Sequence, residues 1–70
     1  MDWGWTSYEK TGWKRDDGCK QYLGRFMTEE KPDGYSICHV WFWARRPILA
    51  LRKIIESGKD PLTFAGKTIN

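Results

Sequence analysis

The sequence predicts a two-layer α+β domain, a three-stranded antiparallel sheet with an optional terminal strand packed on one C-terminal helix. Three observations carry this reading. Turn signals at Asp17-Gly18 and Pro32-Asp33-Gly34 cut residues 3–44 into extended segments. Those segments are rich in aromatic and β-branched residues. After Pro47 the apolar spacing changes from strand-like to helical.

The first segment, Trp3 to Lys14, is aromatic and Thr-rich but interrupted by Gly4 and Gly12. It is expected as one strand or as two short pieces. RDDGC (15–19) then marks a hairpin. The second segment, Cys19 to Thr28, carries Tyr22, Leu23, Phe26 and Met27. EEKPDGYS (29–36) suits a type I turn followed by a left-handed glycine. The third segment, Tyr35 to Ala44, is the strongest strand signal in the chain.

PILALRKIIESG (47–58) reads as the helix. Pro47 suits the first helical position, where a missing N–H costs nothing. Gly58 suits the left-handed residue past the end. Ile48, Leu51, Ile54 and Ile55 fall on one face, which should meet the sheet. PLTFAGKTI (61–69) would add a short strand or lie as an extended tail.

Composition fits one small domain over residues 1–70. The chain is 40% hydrophobic and 16% aromatic, unlike disordered sequences, which are poor in aromatics. A domain this size buries only about 60% of its unfolded surface, so its core is modest. Twelve Lys/Arg against nine Asp/Glu give a formal charge of +3, which permits an acidic partner without demanding one. Cys19 and Cys38 are too few for a disulfide scaffold. The opening MDWGWTSYEK has no secretory signature, and no apolar run reaches the roughly 18 residues of a membrane span. A cytoplasmic protein with reduced thiols, not bound to membrane, is the expectation.

Alternation along the third strand separates two faces. Ser36, Cys38, Val40, Phe42 and Ala44 form the face that the helix should cover. Tyr35, Ile37, His39, Trp41 and Trp43 form the other. Either Trp3, Trp5 and Trp13 fold across that second face as a small aromatic core, or part of it stays open. Immediately after this strand, Arg45 and Arg46 stand where a helix start prefers negative charge. Arg52 and Lys53 follow seven positions later, with Leu49 exposed among them. An ordinary solvated helix face, with Glu56 pairing Arg52 or Lys53, competes with an anion-binding role for this set.

Catalytic and metal chemistry lack support. Cys38 and His39 are adjacent and so point to opposite sides of a strand, the wrong geometry for a nucleophile and base or for a zinc pair. GKT (66–68) resembles the end of a phosphate-binding loop, but Pro61 stands where its upstream glycine belongs. No cofactor or metal is expected. The sequence points to a non-enzymatic binding module that contacts nucleic acid through Trp41, Trp43, Arg45, Arg46, Leu49, Arg52 and Lys53. The alternative is a protein-interaction module, such as a small inhibitor or adaptor of the kind mobile elements carry, acting on an acidic protein surface. A symmetric homodimer that buries the tryptophans is a third reading.

Overall fold

A computed structural model describes residues 3–29 and 34–70. The elements run β1 (Trp3–Lys14), β2 (Lys20–Glu29), β3 (Tyr35–Ala44) and α1 (Pro47–Glu56), followed by a 3₁₀ turn at Pro61–Phe64. The strands form one antiparallel sheet in the order β1-β2-β3. The α+β architecture with a C-terminal helix is as the sequence predicts.

β1 is one continuous strand. Gly4 stays in register opposite Met27, and the irregularities fall instead between Trp5 and Ser7 and between Lys10 and Lys14. Gly12 lies in the second of these with φ of 98°, a conformation that disfavours any side chain. The hairpin signal at 15–19 forms the β1–β2 turn. Arg15 N–H donates to the Cys19 carbonyl at 2.9 Å, Cys19 N–H donates to Asp17 Oδ1 at 3.0 Å, and Gly18 takes φ of 88°. Pro32 and Asp33 of the second turn signal lie outside the described residues; Gly34 has the expected positive φ, 117°.

The core lies on one side of the sheet. Tyr22 and Phe26 from β2 and Val40, Phe42 and Ala44 from β3 meet Ala50, Leu51 and Ile54 from α1 and Ile69 from the tail. Leu51 packs where β2 has only a glycine: a Cβ on Gly24 would lie 3.1 Å from Leu51 Cδ2 and 3.0 Å from Phe26 Cε2. The helix contacts the sheet through the stripe Ala50–Leu51–Ile54. Ile48, expected in that stripe, is 44% exposed, and Ile55 is only half-buried. At 100° per residue both lie on a flank of the stripe centred between Ala50 and Leu51.

The C-terminal segment is neither a full strand nor a free tail. After the 3₁₀ turn it runs along the outer edge of β3 and makes a single parallel bridge, Trp43 with Thr68. Gly66 N–H donates to the Trp41 carbonyl at 2.7 Å, Trp43 N–H to the Lys67 carbonyl at 2.9 Å, and Ile69 N–H to the Trp43 carbonyl at 2.8 Å.

The helix is ten residues long, hence about 15 Å at 1.5 Å per residue. The molecule is 45 Å in its longest dimension. One short helix therefore covers only part of one sheet face.

Candidate functional site

Cross-strand register fixes what each face of the sheet carries, since directly opposed residues point the same way. The face away from the helix presents the rows Gly4–Met27–Ile37, Ser7–Arg25–His39 and Glu9–Leu23–Trp41, then the pair Gln21–Trp43. Met27, Ile37, Arg25, His39 and Trp41 on it are all exposed, and Trp41 is 59% exposed. A shallow depression of about 320 Å³ opens beside Ser7, Glu9, Leu23, Arg25 and His39.

The N-terminal tryptophans do not fold over this face. Trp3 lies opposite Thr28 and Trp5 opposite Phe26, which puts both on the helix side. Trp3 packs against the core. Trp5 starts an aromatic series that runs inward: Trp5–Tyr8 and Tyr8–Tyr22 meet edge to face with centroids 6.0 Å apart, and Tyr22 stacks on Phe42 at 5.9 Å. Trp13 does neither. It is 69% exposed and stands with Lys10, Lys14, Lys20 and Gln21 around a depression of about 270 Å³ near the β1–β2 turn.

Trp43 is half-buried beneath a cation. The Arg15 guanidinium lies 4.9 Å from its ring centre. The same guanidinium grips Asp17, with Nη2 2.5 Å from Oδ2 and Nε 3.3 Å from Oδ1, and donates to Thr68 Oγ1 at 2.8 Å. The hydrogen bonds from Arg15 and from Cys19 N–H hold the Asp17 carboxyl down at about 2, and Asp17 in turn raises Arg15. Asp17 therefore anchors the turn through an ion pair with Arg15 and a bond from Cys19 N–H.

The structure divides the seven residues singled out in the sequence. Trp41 and Trp43 belong to the far sheet face. Arg45, Arg46, Leu49 and Lys53 come together elsewhere, in the helix layer, where they line a half-open groove of about 290 Å³ with Ala50, Ile69 and Asn70. Arg52 lines neither: one residue from Lys53, it is turned 100° away around the helix. No ion pair joins Glu56 to Arg52 or Lys53 among the described residues. Arg45 Nη2 donates to the Asp17 carbonyl at 2.8 Å, Lys53 Nζ donates to the Asn70 backbone oxygen, and Arg46 has no partner among the described residues. The cations close to the aromatic face are Arg25 and Arg15, whereas Lys10, opposite Tyr22, and Lys14 and Lys20, in the row of Ala44, point to the helix side. Sequence adjacency pointed to the helix start, whereas strand register and the hairpin supply these.

The two cysteines are free. Cys38 pairs with Phe26 at one part of the β2–β3 ladder, while Cys19 precedes Lys20 at the other end, opposite Ala44. Burial pushes the Cys38 thiol up, and the Asp60 carboxylate adds to this. Cys38 is half-buried on the helix side and His39 is exposed on the other, as alternation requires. No group of three metal-ligating side chains comes together among the described residues, and no helix among them is long and apolar enough to cross a membrane. No protein-family model, curated protein or solved structure matches the chain.

Proposed function

We propose that this chain is a non-enzymatic binding module that takes single-stranded nucleic acid on the sheet face away from its helix. The observation that carries the reading is the open Trp41 ring on that face, one row from Arg25 and His39. Aromatic faces stack bases at about 1–3 kcal/mol each and tolerate any sequence, while Lys and Arg hold phosphates. The face is open, and among the described residues Cys38 and His39 point to opposite sides of the sheet, so binding is the role it suits.

The test is a titration with labelled dT12 and U12 at low salt. Binding should weaken steeply as salt rises, because released counterions drive it. Trp41→Ala should weaken it about 5- to 150-fold, the equivalent of one lost stack. Arg25→Gln should lower the salt slope by about 0.7. Absence of binding to any single- or double-stranded DNA or RNA at low salt overturns the reading.

A second reading, a protein-docking face of the inhibitor or adaptor type, has one observation in its favour. The cross-strand pair Met27–Ile37 extends the exposed strip with apolar surface and no charge. A partner retained after nuclease treatment and released by Ile37→Asp would support it. Recovery that depends on intact nucleic acid would remove it.

A further inference from the structure

The groove in the helix layer is independent of the sheet face and has its own chemistry. Its floor is apolar: Ala50 and Ile69 are buried core residues, and Leu49, 44% exposed, stands beside them. Its ends are cationic. Arg45 and Arg46 stand at one end and Lys53 at the other. Arg46 is the N-cap, with extended backbone (φ −126°, ψ 102°), and Lys53 lies seven residues on, about 10 Å along the helix axis. No Asp or Glu side chain lines the groove. Arg46 is free among the described residues, Arg45 spends one Nη on the Asp17 carbonyl, and Lys53 spends one N–H on Asn70. Each retains donors to offer.

We propose that this groove docks an acidic segment of a partner protein, one apolar side chain resting on Leu49, Ala50 and Ile69 with a carboxylate toward each end. Charge complementarity selects this occupant. Cations on either side of an apolar surface call for anions with an apolar group between them. An extended peptide supplies this on one face, since side chains at i−2, i and i+2 point the same way and i−2 and i+2 are about 13 Å apart at 3.3 Å per residue, within the reach of flexible Arg and Lys side chains. The groove is half-open and close to the lower limit of about 300 Å³ for small-molecule sites, so it seats one side chain while the peptide backbone stays outside. Fully desolvated apolar contact ringed by charge pairs is the arrangement in which such contacts carry affinity and specificity.

The experiment is a titration of isotope-labelled full chain with the blocked peptide Glu-Glu-Leu-Glu-Glu at low salt, read by amide chemical shifts. Saturable shifts are expected at Ala50, Ile69 and Asn70. Binding should fall at least tenfold with Arg46→Gln, with Leu49→Ser, with Gln in place of every Glu, and with Gly in place of Leu. Arg46 and Leu49 are exposed, so both variants should keep the wild-type spectrum elsewhere. dT12 should leave these shifts and the peptide affinity unchanged. The proposal is overturned by absence of saturable shifts at Ala50 and Ile69, by equal binding of the Gly peptide, or by dT12 displacing the peptide from these amides. The last result would make the groove a nucleic-acid site and leave the sheet-face reading to its own Trp41 test.

Discussion

The Arg15 guanidinium lies 4.9 Å from the centre of the Trp43 ring. It also holds Asp17 in the β1–β2 turn and Thr68 in the C-terminal segment. One side chain thus ties hairpin, third strand and tail together and screens one of the two indoles on the far face. Arg15→Ala should uncover Trp43 and raise fluorescence quenching by a soluble quencher, with some loss of stability from the lost cation–π contact. Arg15→Lys should recover only part of this, because an ammonium cannot reproduce the fork to Asp17. Unchanged quenching in Arg15→Ala would show that the arginine does not cover the ring.

Asp17 gives this assembly a pH limb. Its carboxyl drops from 3.8 to about 2 on folding because Arg15 and Cys19 N–H both bond the ionised form. A depressed folded value means the ionised, bonded form contributes stability above about 3.8. That contribution fades as pH falls from 3.8 through about 2. Thermal melts between pH 5 and pH 2 should therefore show a wild-type decline that Asp17→Asn lacks in part. Parallel curves for the two proteins would contradict the linkage.

Gly24 leaves room on β2 that core side chains fill. An added methyl would lie 3.0–3.1 Å from Phe26, Leu51 and Phe42, all core side chains. Gly24→Ala should lower the urea midpoint by an amount equivalent to about 1–3 kcal/mol, the usual range for overpacking. This outweighs the 0.5–1 kcal/mol that alanine normally gains over glycine inside a strand. Leu51→Ala should be more severe, at about 2–5 kcal/mol. A neutral or stabilised Gly24→Ala would mean that Leu51 retreats without cost.

Much of this fold can be read from local chemistry. Tyr35–Ala44 contains alternation that sorts Val40, Phe42 and Ala44 from Trp41 and Trp43, and that sorting is what the structure contains. Pro47 and Gly58 mark the helix as they should, with Gly58 at φ 71°. The exposure of Ile48 is not legible, because Ile48 and Ile55 share one flank of the apolar stripe and only the sheet decides how far that flank is covered. The candidate site was less legible still. Trp41–Arg46 is contiguous in sequence, but the strand ends at Ala44 and the chain turns into the other layer. Nearness along the chain is not nearness in space here. Arg25 and His39 become neighbours only through register, and Arg15 reaches Trp43 only through the folded hairpin.

The C-terminal segment sets how β3 ends at its open side. Outer-edge backbone groups at Trp41 and Trp43 are taken by Gly66, Lys67 and Ile69. An unpaired strand edge is a template for another chain. Ending the chain after Ala65 would bare these groups, remove the Arg15–Thr68 bond and take Ile69 out of the core. The lost Ile69 burial alone is worth about 1.5–3 kcal/mol. The truncated chain should therefore be less stable and should associate as concentration rises, whereas the full chain should not associate through this stretch of edge. Sedimentation velocity over a wide concentration range distinguishes the two. The discriminating control is Trp41→Ala in the full chain, which alters the sheet face but leaves the tail bonds to the backbone in place. If face-to-face burial of indoles drives association, that variant dissociates a dimer the full chain already forms. If the bare edge drives it, only the truncated chain assembles, and Trp41→Ala leaves the full chain's behaviour unchanged. A truncated chain that stays monomeric with an intact spectrum would show that the tail is dispensable as an edge cover.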